Sequence, residues 1–415
     1  MNMCSLRLLG ACVSVCGLLG CGDSSRSGQP TATAPPEWTR GGKVILSSPS
    51  LTAGLPGTGP LTVEQLKPWL DDPRNHQPLD FALPVGMTDA QTLAFVPQDN
   101  PLTRAKIELG RQMFFDNRLS GLGVGQDFNG GFSCAECHQP DQGYAAWLVM
   151  PEVGRNAPVA FNRLFSRAQF WDGKAASLEE QPLTPINNVF EMNASKQKCV
   201  EAVRAVPEYR LQFETIFGEV SFENVCKAVA CFERALVTGA SPWDYRRRIQ
   251  ELEKRSPQTL SLAEEQLLEE LRAGAKRHPM SAAAIRGEAI FFGDRGGCFR
   301  CHTGPNLTDE AYHNVFPGSG LEILDTGRHR QTGRAEDHNA FKTPTLRNLA
   351  NTAPYMHDGG FDRLEEVIEW FDSGGDEDDE IEPLGLSRQE KNDLLAFLHA
   401  LKSPLPQVQT ERLPQ

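Results

Sequence analysis

The chain has 415 residues, of which 40% are hydrophobic and 23% are charged, and these fractions are typical of globular proteins rather than disordered or fibrous ones. The length allows about three domains. A formal net charge of −13 argues against a nucleic-acid partner, because a phosphate backbone needs a basic surface. The only long apolar run lies at the N-terminus, which excludes a polytopic membrane protein.

The first predicted element is a lipoprotein-type signal peptide at 1–21. Arg7 precedes an apolar stretch, residues 8–19, that is shorter than a membrane-spanning helix. Leu-Leu-Gly-Cys at 18–21 resembles a bacterial lipobox, which predicts cleavage before Cys21 and lipidation of its thiol. Ordinary signal cleavage nearby is the alternative. Both interpretations place the protein outside the cytoplasm, in the periplasm or cell envelope, and the first attaches it to a membrane surface.

Residues 22–98 are predicted to form a flexible linker followed by an irregular arm. Residues 22 to about 60 are low in large apolar residues and rich in Ser, Thr, Pro and Gly. Residues 61–98 hold scattered apolar side chains and many prolines. We therefore expect an arm that packs on the first domain.

The first strong helix is predicted after Thr103, a good N-cap, and it belongs to a repeat. Apolar residues follow at helical spacing: Ala105, Ile107, Leu109, Met113, Phe114 and Phe115. Residues 110–118 parallel residues 287–295, and each copy precedes a Cys-x-x-Cys-His motif, at 134–138 and 298–302. A duplicated helical module explains this pattern.

Further helices are predicted between and after the two copies. The helical patterns lie near 194–217, 222–238, 262–277, 362–372 and 387–402. Ser261 with Glu264 predicts a capping box for the third of these helices. Convincing strand patterns are few, so the predicted fold class is mainly α.

The two Cys-x-x-Cys-His motifs indicate c-type haem attachment sites. Two thiols three positions apart reach the two vinyl groups of one haem, and the adjacent His offers its imidazole to the iron. A tetrathiolate zinc site and a thioredoxin-like redox pair are the alternatives. The His after both pairs, the secretory leader and the matching upstream helices favour haem. The predicted attachment and ligand residues are Cys134, Cys137, His138, Cys298, Cys301 and His302.

The segments around and between these motifs resemble the bacterial dihaem cytochrome c peroxidases and their relative MauG, from about Asn100 to Leu401. The resemblance rests on 100–103, 109–111, 155–158, 170–174, 179–181, 191–192, 341–344, 346–348 and 353–359. It implies two c-type cytochrome domains arranged as in those peroxidases. The N-terminal, peroxidatic haem domain with a helical insert would span 99–278, and the C-terminal, electron-transfer haem domain would span 279–405.

The resemblance also implies roles for residues near the first haem. His138 would be the proximal ligand of the first haem, and His302 that of the second. Glu191 occupies the place of the distal glutamate, which can take a proton from one peroxide oxygen and give it to the other. Gln181 and Pro185 would line the same distal pocket.

Two further sets of residues follow from the resemblance. Trp171 matches the tryptophan between the two haems, where an indole shortens the steps of electron transfer; the alternative is an ordinary core tryptophan. Asn156, Thr352 and Pro354 match the calcium site between the domains, whose hard oxygen ligands suit that ion.

Two departures from the family pattern bear on mechanism. Residues 139–154 contain no His, whereas the peroxidases commonly carry there a His that binds the peroxidatic iron until the enzyme is reduced. We therefore expect a first haem that is five-coordinate or water-bound at rest and active without reductive priming, as in MauG. The sixth ligand of the second haem is expected at Phe371, which cannot ligate iron. The preceding loop offers other candidate ligands, namely His313, His329 and His338.

Two remaining features have open interpretations. Cys199, Cys226 and Cys231 allow one disulfide in an oxidising compartment, and the sequence does not choose the pair. The acidic run from Asp376 to Glu380 is either a docking site for a basic cytochrome or a solvated loop.

Three functions are consistent with the sequence. The first is an enzyme that reduces hydrogen peroxide with electrons from a small cytochrome c or cupredoxin. The second is a MauG-like oxidase that uses peroxide to oxidise a residue of a partner protein. The third is a non-catalytic electron-transfer lipoprotein, against which Glu191, Gln181 and Trp171 argue. The resemblance further implies a homodimer, and no nucleic acid is expected.

Overall fold

The structure is a computed structural model that describes residues 39–40, 43–46, 55, 57–87, 95–121, 131–146, 149, 153–315, 325–376 and 379–415. All of them belong to the unit 34–415. The predicted signal peptide and much of the predicted linker lie outside the described residues.

The described part of the chain is mainly helical, as predicted, with thirteen α-helices. In chain order they are α1 Val63–Leu70, α2 Arg104–Phe115, α3 Cys134–Cys137, α4 Leu183–Asn187, α5 Lys196–Ala205, α6 Pro207–Phe217, α7 Phe222–Ala235, α8 Pro242–Glu253, α9 Leu262–Arg277, α10 Ala282–Phe291, α11 His329–Thr332, α12 Leu364–Ser373 and α13 Arg388–His399. No helix among the described residues is both long and apolar enough to cross a membrane.

Five short strands form two small sheets within the described residues. They are β1 Thr39–Arg40, β2 Lys43–Ile45, β3 Phe81–Ala82, β4 Tyr312–Asn314 and β5 Ala340–Lys342. β2 pairs antiparallel with β1 and parallel with β3, while β4 pairs antiparallel with β5 in the register Tyr312 to Lys342. The second sheet therefore holds the chain after the second cysteine motif in register with the segment around Phe341.

Local sequence signals determine where several helices begin and end. The Thr103 side chain accepts a hydrogen bond from Lys106 N, and Ser261 and Glu264 form the predicted capping box of α9. The pattern predicted near 194–217 is two helices, because Pro207 lacks an N–H group and holds Val206 in extended backbone. Helices α1 and α8 were not predicted, and α1 lies inside the arm that the sequence predicts as irregular.

The two copies of the repeat pack in the same way against a later helix. A Cβ atom on Gly110 of α2 would lie 1.9 Å from the carbonyl oxygen of Ala228 in α7, and one on Gly287 of α10 would lie 1.9 Å from that of Asp393 in α13. Glycine is therefore required at both crossings, because any side chain would displace a backbone carbonyl. The close crossings let Phe114 contact Phe232, with ring centroids 5.2 Å apart, in the first copy.

Two apolar clusters surround these helix crossings. The first is built around α2 and α7 and includes Leu109, Met113, Phe114 and Phe232. The second is built around α10 and α13, and it also contains Trp243 of α8, which lies before the predicted boundary between 278 and 279. The exact limits of the two haem domains stay a prediction.

Candidate functional site

Both Cys-x-x-Cys-His motifs adopt a tight helical turn that brings the first Cys back to the His. In the first motif His138 N donates to Cys134 O at 2.9 Å, and in the second His302 N donates to Cys298 O at the same distance. Each turn therefore brings the two cysteines and the histidine of its motif together, as attachment of one haem requires.

Each motif histidine is oriented by a backbone carbonyl a few residues further along the chain. His138 Nδ1 lies 3.2 Å from the Tyr144 carbonyl oxygen, and His302 Nδ1 lies 3.0 Å from that of Leu307. A carbonyl only accepts, so Nδ1 carries the proton in both rings and Nε2 has the lone pair that binds a metal. Burial lowers the pKa of His138 to about 4 and also lowers that of His302, which favours the neutral form of both rings.

The surroundings of both motifs suit an apolar macrocycle. Phe114 lies 6.3 Å from the His138 ring and Phe291 lies 6.5 Å from the His302 ring, with similar tilts of 42° and 45°. Burial also raises the pKa of Cys298 to about 11. The residues present at both motifs therefore fit covalently attached haem.

The segment after α4 brings Glu191 close to the first motif. A turn closed by Glu191 N donating to Asn188 O at 3.1 Å follows the helix, and Asn188 Nδ2 donates to Glu191 Oε1 at 2.6 Å. Burial raises the pKa of the Glu191 carboxyl. Burial, and after it the Glu191 charge, raise the pKa of Cys137 to about 11, so this carboxyl group lies near the first attachment site.

Gln181 begins the same segment and follows a partly buried ion pair between Glu179 and Arg234. The Glu179 carboxylate accepts from both terminal nitrogens of Arg234, at 2.6 and 2.7 Å, and from Asn100 Nδ2 at 2.8 Å. Gln181 O then accepts from Thr184 N at 3.2 Å, at the start of α4. The bidentate pair fixes the path of the chain that leads to Glu191.

Trp171 lies where the chain that follows the first motif meets the chain that follows the second. Its Nε1 donates to Asn156 O at 2.8 Å, and its carbonyl accepts from Lys342 N at 2.7 Å. The indole lies edge-on to the His357 ring, with centroids 6.5 Å apart. Trp171 therefore contacts both motif-bearing parts of the chain, and its place between two haems stays a prediction.

Asn156, one of the three residues predicted to bind calcium, lies beside Trp171 and contacts the segment that holds the other two. Asn156 Nδ2 is 2.6 Å from the Pro354 carbonyl oxygen and 3.3 Å from that of Met356. Asn156 Oδ1 is buried and has no hydrogen-bond partner among the described residues. Thr352 Oγ1 donates to Leu349 O at 3.2 Å, in the turn that precedes Pro354. A buried oxygen without a partner, next to backbone carbonyls, suits a hard cation.

Among the candidate sixth ligands of the second haem, His313 lies beside the second motif, since a ring nitrogen of His313, a carboxylate oxygen of Asp309 and Cys301 Sγ lie within 4.8 Å of one another. Phe371 lies in α12 with its ring against Trp370, at a centroid distance of 5.0 Å. Both nitrogens of His313 contact carboxylates, at 2.8 Å from Asp309 and 3.1 Å from Glu380. His329 Nδ1 pairs with Arg334 O, and the His329 ring lies 5.6 Å from that of His338.

The three described cysteines outside the two motifs form no disulfide, and the acidic run is described only in part. Cys199, Cys226 and Cys231 are free, buried thiols. Two residues of the acidic run, 377 and 378, lie outside the described residues, and Glu380 at its end accepts from Asn314 N at 3.2 Å.

The sequence does not predict the roles of the two residues whose carbonyls contact the motif histidines. Tyr144 and Leu307 are both wholly buried and both have positive φ, at 54° and 52°. Bulky residues rarely adopt this left-handed backbone, and neither shows a local sequence signal for it. Only their equivalent places after the two motifs could have identified them.

Comparison with known proteins identifies the family that this chain resembles. The family described as di-haem cytochrome c peroxidase matches residues 104–251. Methylamine utilization protein MauG from Methylorubrum extorquens is 34% identical over 331 residues, covering 77% of this chain and 84% of the relative. Cytochrome c551 peroxidase from Nitrosomonas europaea is 31% identical over 322 residues, covering 74% of this chain and 83% of the relative.

A solved structure has the same fold. A MauG-like protein associated with microbial copper homeostasis superimposes with a TM-score of 0.61 and 28% sequence identity. The match covers 74% of this chain and 92% of that structure. The fold is therefore shared with a protein of known structure.

Proposed function

The chain belongs to the family of the di-haem cytochrome c peroxidases and MauG, and on this premise we propose that it reduces hydrogen peroxide with electrons from a small cytochrome c or cupredoxin. It is an oxidoreductase, and the family implies two c-type haems. Haem bound at the two motifs would supply the iron that binds peroxide and stores electrons. In the overall reaction one peroxide takes two electrons and two protons and leaves as two water molecules.

The environment of Glu191 carries this proposal. Asn188 fixes the carboxyl group through Oε1, near Cys137 of the first motif. A carboxylate in this position takes the proton from one peroxide oxygen and returns it to the other as the O–O bond breaks. Burial moves the pKa of Glu191 upward, and this makes the group a better proton carrier close to neutral pH.

Gln181 and Trp171 complete the proposed machinery. Gln181 lies at the start of the segment that ends in Glu191, where its amide binds and orients peroxide. Trp171 contacts the chain segments that follow both motifs. Its indole would therefore relay electrons that enter at the second motif to the first. His138 and His302 hold the two irons.

We expect resting, fully oxidised protein with both haems attached to oxidise a reduced small cytochrome c as soon as peroxide is added. Residues 139–154 contain no His to block the first iron. Stopped-flow absorbance would measure this turnover, with two cytochromes oxidised for each peroxide. Turnover only after prior reduction would contradict the open first site. An unchanged haem spectrum with peroxide would contradict the assignment of the reactive site and favour the electron carrier.

A MauG-like oxidation of a partner protein is the second candidate function. The missing His in 139–154 and the 34% identity to MauG favour it. Phe371 weakens it, because it provides no tyrosine at the place where the resemblance expects the ligand through which MauG shares oxidising equivalents between its haems. No cytochrome turnover, together with a peroxide-induced spectral change, would select this function over the peroxidase.

We further propose that Asn156 binds calcium together with the carbonyls of Thr352 and Pro354. Asn156 Oδ1 is buried without a hydrogen-bond partner, and Nδ2 of the same amide lies 2.6 Å from the Pro354 carbonyl oxygen. With calcium bound, a rotated amide would present Oδ1 to the ion beside this carbonyl. Calcium at 100 times its Kd should then stabilise the native protein by about 2.7 kcal/mol.

Urea unfolding of chelator-treated holoprotein, with and without added calcium, would measure this stabilisation. Magnesium serves as the control ion, since it demands a tighter octahedral site. Asn156→Ala should remove the response to calcium. An equal response of the wild type and Asn156→Ala would contradict the site.

The location is also a proposal. Covalent haem attachment and the signal at 1–21 support an extracytoplasmic enzyme. Lipidation of Cys21, and the homodimer that the resemblance implies, stay predictions.

A further inference from the structure

We call the part of the chain built around α2 and α7 the first haem module and the part built around α10 and α13 the second. The last residues of the chain cross from the second module to the first. This C-terminal strap comprises residues 403–414. It begins where Ser403 N donates to Asn348 Oδ1 at 2.7 Å, next to α13. It ends on the first module, where Arg118 Nη2 donates to Pro414 O at 2.8 Å.

The strap is held along its whole length. Gly239 N donates to Pro404 O at 3.0 Å, and Arg111 Nη2 of α2 donates to Arg412 O at 2.7 Å. Leu61 N donates to Leu413 O at 3.1 Å. The carbonyls of the strap are thus fixed relative to the first haem module.

Tyr144 connects this strap to the first motif histidine. Its backbone carbonyl is the acceptor for His138 Nδ1, at 3.2 Å. Its hydroxyl donates to Pro406 O at 3.0 Å. The residue is wholly buried and has a φ of 54°, a backbone conformation that needs support from its surroundings.

The second motif has an equivalent carbonyl contact to its histidine but no equivalent side-chain hydrogen bond to the strap. Leu307 is buried, has a φ of 52°, and its carbonyl accepts from His302 Nδ1. Its side chain has no polar atom with which to bind another segment. The tie to the strap therefore distinguishes the first, peroxidatic motif from the second.

We propose that Tyr144 is a positioning residue for the first haem. Its carbonyl orients the His138 imidazole, and its hydroxyl, hydrogen-bonded to Pro406 O in the C-terminal strap, keeps the Tyr144 carbonyl in place. The inference rests on His138 being the proximal ligand in the proposed function. A firm hydrogen bond to Nδ1 raises the basicity of the ligand and stabilises the oxidised iron. Loosening this bond weakens the iron–histidine bond and raises the reduction potential of the first haem.

Tyr144→Phe in the full-length holoprotein tests the proposal. It removes the hydroxyl and leaves the carbonyl in place. We expect the reduction potential of the first haem to rise, and its ferrous iron–histidine stretching frequency in resonance Raman spectra to fall, with the second haem unchanged. Tyr144→Leu copies the residue of the second motif and should give the same shifts.

Tyr209→Phe is the matched control. Tyr209 is an equally buried tyrosine of the same apolar cluster, but its hydroxyl donates to Asp116 rather than to the strap. Equal shifts in Tyr209→Phe, or unchanged potential and frequency in both Tyr144 variants, would overturn the proposal. Loss of the first haem from both Tyr144 variants would also overturn it, because Tyr144 would then act in folding rather than in ligand orientation.

His138→Ala separates this inference from the proposed function. If this variant keeps the iron–histidine signature of the first haem, His138 is not the ligand and the assignment of the site itself fails. If it loses the signature while Tyr144→Phe has no effect, only the role of Tyr144 fails.

Discussion

Glu191→Gln should lower the peroxide turnover of the protein by about 10²–10⁴-fold, the usual contribution of a positioned proton carrier. The amide keeps the shape of the side chain and can still contact Asn188, but it cannot accept a proton from peroxide. Reduction of both haems by a donor should be unaffected, because no proton transfer by Glu191 is involved in that step. Stopped-flow absorbance with peroxide, beside a separate reductive titration, measures the two properties.

Glu136→Gln is the matched control for the loss of charge. Glu136 is exposed and, like Glu191, raises the pKa of Cys137 through its charge. It lies within the first motif but has no role in the proposed proton transfer. Turnover of Glu136→Gln near the wild-type rate is expected. A similar fall in both variants would show that charge near the first motif matters and proton transfer does not.

The pH profile of the wild type offers a second readout of the same residue. Glu191 must be ionised to accept the proton, so kcat/KM should rise with pH as the group deprotonates. Because burial raises its pKa, this rise should occur above the usual glutamate value of about 4.3. The acid limb should be missing in Glu191→Gln. An identical limb in the variant would assign it to another group.

Asp244→Asn is expected to destabilise the folded protein by about 3–5 kcal/mol, the usual effect of removing one partner of a buried ion pair. Arg347 and Asp244 are 1% and 0% exposed, and their side chains form two parallel hydrogen bonds of 2.7 and 2.8 Å. The variant leaves the guanidinium charge buried without its counter-charge. Because Arg347 also donates to Pro305 O at 2.7 Å, the loop after His302 should loosen with it.

Urea unfolding of the holoprotein would measure this loss. Glu269→Gln is the control, because Glu269 forms a surface ion pair with Arg272, at 2.8 Å, in which its side chain is 74% exposed. Its loss should change the free energy of unfolding by no more than about 1 kcal/mol. Equal effects of the two variants would contradict the importance of the buried pair.

Predictions from the sequence succeeded where the signal is local. Capping by Thr103 and by Ser261 with Glu264 depends on residues within one helical turn, and the helix predicted at 262–277 is α9, Leu262–Arg277. The helical pattern at 194–217 does not form one continuous helix. It breaks into two helices at Val206, because Pro207 holds the preceding residue in extended backbone despite the continuous apolar pattern. Helix α8 was missed because its buried face is set by distant partners such as Glu288, which accepts from Trp243 Nε1 at 3.1 Å.

The sequence by itself indicated the haem chemistry and the repeat, because the two Cys-x-x-Cys-His motifs and the matching segments before them are local patterns. It also marked Gly110 and Gly287 as equivalent positions in the two copies. Only the tertiary structure showed why they are glycines, since the carbonyls of Ala228 and Asp393 that exclude a side chain lie more than 100 residues away. The contact between Tyr144 and Pro406 is a long-range pairing of the same kind. Such pairings depend on how the chain closes on itself, and no local spacing of residues encodes them.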